Sequence, residues 1–321
     1  MTRCSVGPLN GDEDGQESLF TDEVTPAANW DRDVAARTLD ELFSLARRYR
    51  SSQEYHELLQ FIGRFRFYAP FNAMLVHIQM PGARYVASPS AWLRDYGRRI
   101  RPEARPLVIL RPMGPVMFVF DVSDTEAAEG AAQLPPQVEQ PFEVRGGRIG
   151  GELTQTIENA KRDGVEIRER QAGAQSAGEI RVARPGRYLN FLIKETPEVE
   201  HLAVPLRYEL LLNGRHSAEA KYATLAHELG HLYCGHLGTP NSRWWPDRRG
   251  LADEICEFEA ESICYLLCSR LGIDNPSDEY LAGYVKAHDE TPPISLACVM
   301  KAAGLIEQMG RERLKQRKEK G

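Results

Sequence analysis

The stretch YATLAHELGHLYCGH, residues 222–236, places two histidines four apart, with a glutamate directly after the first. On an α-helix, residues four apart stand one above the other on the same face. His227 and His231 can therefore grip one ion through their imidazole nitrogens. Glu228 is one step round the helix, beside that ion, where a general base takes a proton from an attacking water. HExxH on a helix is the zinc pattern of metalloproteases, so Zn2+ is the expected cofactor. Ala223, Leu225, Ala226, Leu229 and Leu232 surround the motif with apolar side chains, as a half-buried helix requires. Ser217 predicts the start of this helix, and Gly235, Gly238 and Pro240 predict its end. Gly230, between the two histidines, leaves room for another backbone to come close.

A catalytic zinc needs a third protein ligand and an open position for water. His236 falls nine residues after His227, one short of the spacing in the three-histidine pattern HExxHxxGxxH. It reads as an ordinary helix-end side chain. The better candidates lie in ADEICEFEAESICYLLCSRLG, residues 252–272. As a helix, this segment puts Glu254, Glu257 and Glu261 on one face together with Ala260, Cys264 and Cys268. Such an acidic stripe repels itself unless a cation is near, and its small residues allow close helix packing. Glu257 is the expected third ligand. Glu261 orients a histidine from behind, or is the alternative ligand. Glu259 points nearly the opposite way, and its loss should leave the metal in place. Cys264 and Cys268 lack a second pair at finger-like spacing and read as buried small residues. Tyr233, Tyr265 and His236 are nearby candidates for steadying a developing oxyanion.

The chain has 321 residues, about the length of two domains, and 42% of them are apolar. The net charge of -6 carries no global bias toward nucleic acid or membrane. No apolar run approaches the roughly 20 residues that span a bilayer, so no membrane partner is expected. The N-terminus has no apolar core of the signal-peptide kind. A cytoplasmic location follows as an expectation, with the six cysteines as thiols. Charge is uneven along the chain. Residues 1–30 carry one Arg against six acids, and residues 44–111 carry twelve Arg against four acids. That basic block interleaves aromatics, in RFRFYAPF and AWLRDYGRRIR. Cationic grooves with aromatic platforms hold single-stranded nucleic acid. Arg64, Arg66, Arg94, Arg98, Arg99 and Arg101 are the expected phosphate contacts, with Trp92 among the stacking candidates. The bland alternative is aromatics in the core and arginines on a solvated surface.

Two segments resemble known families. YATLAHELGHL with the later EFEAESICYLL, within about 205–275, resembles the ImmA/IrrE zinc metallopeptidases and the related C-terminal domain of ArdC antirestriction proteins. Matched residue by residue, the first acid of the family's second helix falls on Glu257. Glu261 stands where Asn is usual in ImmA/IrrE proteins and Glu in ArdC. The resemblance implies a zincin-like fold, a protein substrate such as a transcriptional regulator, and RYELLLNG as the edge strand that holds an extended peptide. The second segment, about 60–126, resembles the N-terminal single-stranded-DNA-binding domain of ArdC-like proteins. It shares Asn72, Gln79, Trp92, Gly97, Arg98, the run 118–121, Asp124 and Thr125. Phe71 replaces the family's usual Arg, and the Lys-Gly-Glu-Lys run reads RPEAR here.

The expected architecture is α+β in two domains: an acidic disordered segment over 1–30, an ArdC-like unit over 31–126, a Pro-rich linker over 127–147, and a zincin-like metallopeptidase domain over 148–321 with a basic tail. The expected activity is zinc-dependent endopeptidase, with single-stranded DNA as a second partner of the N-terminal unit. The competing expectation is an antirestriction or single-strand-binding protein whose zinc is structural.

Overall fold

A computed structural model describes residues 49, 51–111, 114–128, 131, 134, 148–171, 178–194, 197–273 and 276–317. The acidic segment 1–30, the start of the unit expected over 31–126 and nearly all of the linker lie outside the described residues.

Helix ends follow the caps in the sequence. The Ser51 hydroxyl accepts from the Glu54 amide at 3.4 Å and opens α1, Ser52–Arg64. Pro70 occupies the first turn of α2, Pro70–Gln79. A two-residue strand β1, Val86–Ala87, leads to Ser88, which caps α3, Pro89–Tyr96. Gly97 closes α3 at φ 61°, where a side chain would be strained. Short β2 (Arg98–Ile100) pairs antiparallel with β5 (Thr125–Ala127). Between them β3 (Leu107–Arg111) and β4 (Gly114–Asp121) form a hairpin, and β1 joins β4, giving the order β1-β4-β3.

In the second half, α4 spans Glu152–Ala160. The strands β6 (Val165–Arg170), β7 (Gly178–Val182), β8 (Tyr188–Lys194), β9 (Glu200–Pro205) and β10 (Tyr208–Asn213) follow. Their pairing gives a three-stranded sheet, β6-β10-β7, and a separate β8-β9 ribbon. β10 runs parallel to β6 and antiparallel to β7, with Leu210 opposite both Ile167 and Ile180. The expectation that RYELLLNG forms the edge strand is therefore corrected. Tyr208, Leu210 and Leu212 are buried because β10 is the central strand, and β7 is an edge among the described residues.

Ser217 caps α5, Ala218–Tyr233, the HExxH helix. α6 spans Asp253–Leu271 and stops at Gly272, φ 73°. α7 (Pro276–Ala287) and α8 (Leu296–Arg311) complete the fold. No helix among the described residues is long and apolar enough to cross a membrane.

One core runs from Leu58, Ile62 and Leu75 through Leu210, Leu225 and Leu229 to Ile263, Leu266 and Ile306. The segments read from the sequence as two domains are thus packed together through shared apolar contacts. A buried arginine reinforces this junction. Arg270 of α6 donates to the Ile62, Phe65 and Tyr68 carbonyls at 2.9, 3.0 and 2.7 Å, and to Glu307 at 2.7 Å. Those carbonyls lie at and just beyond the end of α1, where four helix acceptors have no partner of their own.

Candidate metal centre

α5 and α6 lie in close contact because Gly230 has no side chain. A Cβ there would stand 3.3 Å from the Ala260 Cα and 3.3 Å from the Ile263 Cδ1. Cys264 adds a contact, its thiol donating to the Ala223 carbonyl at 3.3 Å. Cys264 and Cys268 are buried free thiols, as small core residues should be. This tight seam brings α6 carboxylates to the histidines of α5.

His227, His231 and Glu257 converge. The two Nε2 atoms are 3.1 Å apart, His227 Nε2 is 3.4 Å from Glu257 Oε2, and His231 Nε2 is 3.4 Å from Glu257 Oε1. Two ligand atoms about 2.0–2.1 Å from a zinc ion at a tetrahedral angle lie about 3.3–3.4 Å apart. The two Nε2 atoms stand slightly closer than that and each faces a different Glu257 oxygen at 3.4 Å, so the three side chains come near the separations that one tetrahedral ion demands. The histidines are mostly buried, whereas the Glu257 side chain is 51% exposed. The cluster opens toward solvent on that side, as an ion that must admit water requires.

The electrostatics favour a positive charge. Burial works to lower the His227 pKa, but the Glu257 and Glu261 carboxylates outweigh it and lift it to about 9. Contact with His227 holds the Glu257 carboxyl below its usual range. Burial, reinforced by the charge on His227, pushes His231 down to about 4. Glu261 lies 3.6 Å from His227 Nδ1 through Oε1, and its other oxygen accepts from the Ser277 hydroxyl. It faces the back of His227, away from the convergence point.

Glu228 stands beside the cluster. Burial pushes its carboxyl up from the ordinary range, and its Oε2 accepts from the Ile180 amide of β7 at 2.9 Å. The Ile180 amide thus points away from β10, onto the free edge of the sheet. Gly178 makes this approach possible, since a Cβ there would meet the Thr224 methyl at 2.4 Å and the Leu211 carbonyl at 2.8 Å.

Two residues near the site depart from expectation. His236 is no ordinary helix end. Gly235, at φ 86°, turns the chain back, so the His236 ring packs against His231 with Nδ1 to Nδ1 3.0 Å. Its Nε2 lies 2.9 Å from Glu259, which is fully buried. Tyr233 is also buried and donates its hydroxyl to Asp163 at 2.9 Å, so it is removed from the oxyanion candidates. Tyr265 is buried as well.

The expected nucleic-acid contacts fall into two groups. Trp92 is corrected: it is 0% exposed and its indole donates to the Phe120 carbonyl at 2.8 Å, so no base can stack on it. Arg98 turns inward to Thr125, donating to its Oγ1 at 2.7 Å, and Arg66 donates to the Ser269 carbonyl at 2.9 Å. Arg94 pairs with Asp95. Arg64, Arg99 and Arg101 are exposed. The residues that carried the N-terminal resemblance are largely scaffold. Asn72 exchanges two hydrogen bonds with the Leu110 backbone, and Gln79 does the same with Val108. One helix face thereby satisfies the outer edge of β3, as a free strand edge requires. Asp121 likewise accepts from the amides of Arg84 and Tyr85.

Residues 160–268 match the Peptidase_M78 family, IrrE N-terminal-like domain, which bears out the resemblance to ImmA/IrrE proteins read from the HExxH segment. No curated protein matches the chain. Among solved structures, the metal-free crystal structure of the antirestriction protein ArdC from R388 plasmid is similar over 75% of this chain and 81% of its own, at 18% identity and a TM-score of 0.31.

Proposed function

We propose that the chain is a zinc-dependent endopeptidase of the ImmA/IrrE kind, acting on an extended segment of a protein partner. The observation that carries this reading is the convergence of His227, His231 and Glu257 near tetrahedral separations, beside a carboxylate that is not itself in the donor set. When bound, zinc would polarise a peptide carbonyl and acidify a water there. His227 and His231 of α5 and Glu257 of α6 would hold it. Glu228, aimed by the Ile180 amide, accepts the proton of the attacking water and returns it to the leaving amine. An extended peptide added along β7 would lie next to this base, with main-chain hydrogen bonds as its anchor.

Glu228→Gln keeps shape and removes the base. The test is digestion of an unstructured peptide library by the zinc-loaded full chain, read by mass spectrometry. The expected result is cleavage by wild type, a loss of about 10²- to 10⁴-fold in the variant, and unchanged zinc content. Equal cleavage by both proteins, or none by either, would sink the peptidase reading.

A second reading has a narrower support. Phe67 is 52% exposed, its ring meets Tyr85 at 5.0 Å, and Tyr85 meets Tyr96 at 5.9 Å just before β2. This row of rings, with exposed Arg99 and Arg101 on and beside β2, suits weak binding of single-stranded DNA with little sequence preference. In that case the zinc site would brace a DNA-binding or antirestriction protein, and Glu228→Gln would leave its activity intact.

A further inference from the structure

Behind His231, on the side away from the donor cluster, runs a chain of polar groups that the proposed chemistry does not use. His231 Nδ1 lies 3.0 Å from His236 Nδ1, and His236 Nε2 lies 2.9 Å from Glu259 Oε2. Glu259 is surrounded by donors. Arg248 gives it two hydrogen bonds, at 2.6 and 2.8 Å, and the Ser295 amide gives a third at 2.6 Å. Cys234, His236 and Glu259 have the donor types and spacing of a second metal site. The Arg248 guanidinium already neutralises that carboxylate and would repel a cation, so a hydrogen-bond relay is the better account.

The direction of the relay is fixed from its far end. A carboxylate in a bidentate pair with arginine has only acceptor capacity. His236 must therefore donate from Nε2. A neutral imidazole with its proton on Nε2 has a bare lone pair on Nδ1. Against a neutral His236, His231 donates from its own Nδ1, which leaves its Nε2 lone pair bare and aimed at His227 and Glu257. That is the tautomer a metal needs.

We propose that His236 and Glu259 are positioning residues that lock His231 in its metal-binding tautomer and ring orientation before any metal arrives. This rests on the metallopeptidase reading and deepens it. The two ligating histidines are then held differently: His227 has a carboxylate at its back, and His231 has a second imidazole that passes the contact on to a carboxylate. On this proposal Glu259 bears on the metal through His236 although it faces away from the donor cluster, against the expectation that its loss leaves the metal in place.

The test uses the full chain. In the metal-free protein, nitrogen-15 spectra of the imidazoles report which nitrogen of each ring carries the proton. The expected result is His231 protonated on Nδ1 and His236 on Nε2. Affinity for Co2+ is then measured by absorption. His236→Phe keeps an aromatic ring but cannot accept, and should weaken Co2+ binding by about 10- to 100-fold. His236→Asn restores an acceptor near the lost Nδ1 and should recover most of that loss. Thermal unfolding of the metal-free variants checks that each is folded. His231 found protonated on Nε2 in the metal-free chain, or a folded His236→Phe that binds Co2+ like wild type, would overturn the relay. A wild-type chain that takes up no Co2+ is a different result, and it overturns the metallopeptidase reading on which the relay depends.

Discussion

Arg270→Met removes a buried guanidinium that ties α6, the helix carrying Glu257, to the end of α1. Methionine fills similar volume, so the loss is polar. The Ile62, Phe65 and Tyr68 carbonyls lose a charged donor at 2.7–3.0 Å. Glu307 keeps Arg311 at 2.7 Å, but that arginine is 57% exposed. Removing one partner of a buried ion pair costs about 3–5 kcal/mol. That is a large part of the roughly 5–15 kcal/mol that holds most native proteins together. With a urea dependence of about 3 kcal/mol per molar for a chain of this size, the midpoint should fall by about 1–2 M. Circular dichroism in a urea titration measures it. Arg270→Lys should recover only part, because a point charge cannot reach carbonyls and carboxylate together as the planar fork does. A midpoint within about 0.2 M of wild type for Arg270→Met would show that this buried arginine does not brace the junction.

Acidification should destabilise the fold through His77, which is buried against Phe61 at 4.7 Å with Nδ1 lacking a partner among the described residues. Burial pushes its pKa from 6.5 down to about 4. Between those values the unfolded chain binds a proton that the folded chain does not, so stability falls as pH falls, by at most about 1.4 kcal/mol per pH unit. His77→Phe should flatten that slope in urea melts at pH 4.5–6.5, and an unchanged slope would remove His77 as its source. Glu257→Ala should strip zinc, whereas Glu261→Ala should weaken it by about 10- to 100-fold. Calorimetric titration that finds the reverse order would exchange the two roles. Single-strand binding should fall steeply with salt and should drop on Phe67→Ala together with charge reversal at Arg99 and Arg101; low-salt binding left unchanged by that set in fluorescence anisotropy would remove this row of rings as the platform.

Much of the site was legible because it is local. His227 and His231 are one helical turn apart, Ser217 and Gly272 mark helix ends by their own chemistry, and the 253–271 periodicity puts Glu257 and Glu261 on one face. His236 was misread because a helical projection fails beyond Gly235, whose positive φ swings the next residue under His231. Glu259 was placed on the correct side of its helix. Its partners, Arg248 and Ser295, come from other elements, so no local pattern announced them. The edge strand was misassigned for a related reason. A strand's own sequence does not name its neighbours, although the exposed charges Glu179 and Arg181 of β7 are the commoner mark of an edge. The strand 200–205 and the short ladder at 98–100 and 125–127 carry little signal in the sequence, because they are short and mostly exposed, with little apolar alternation to read. Composition alone offers Trp92 to bases, whereas Tyr85, Tyr96 and Phe120 pack around it.

One zinc held by His227, His231 and Glu257 would show in the metal content of the purified full chain, measured by mass spectrometry of the elements beside that of His227→Ala. The expected result is about one zinc per wild-type chain and almost none in a folded His227→Ala. Zinc retained in full by that variant, or a folded wild-type chain that takes up none when zinc is supplied, would contradict it.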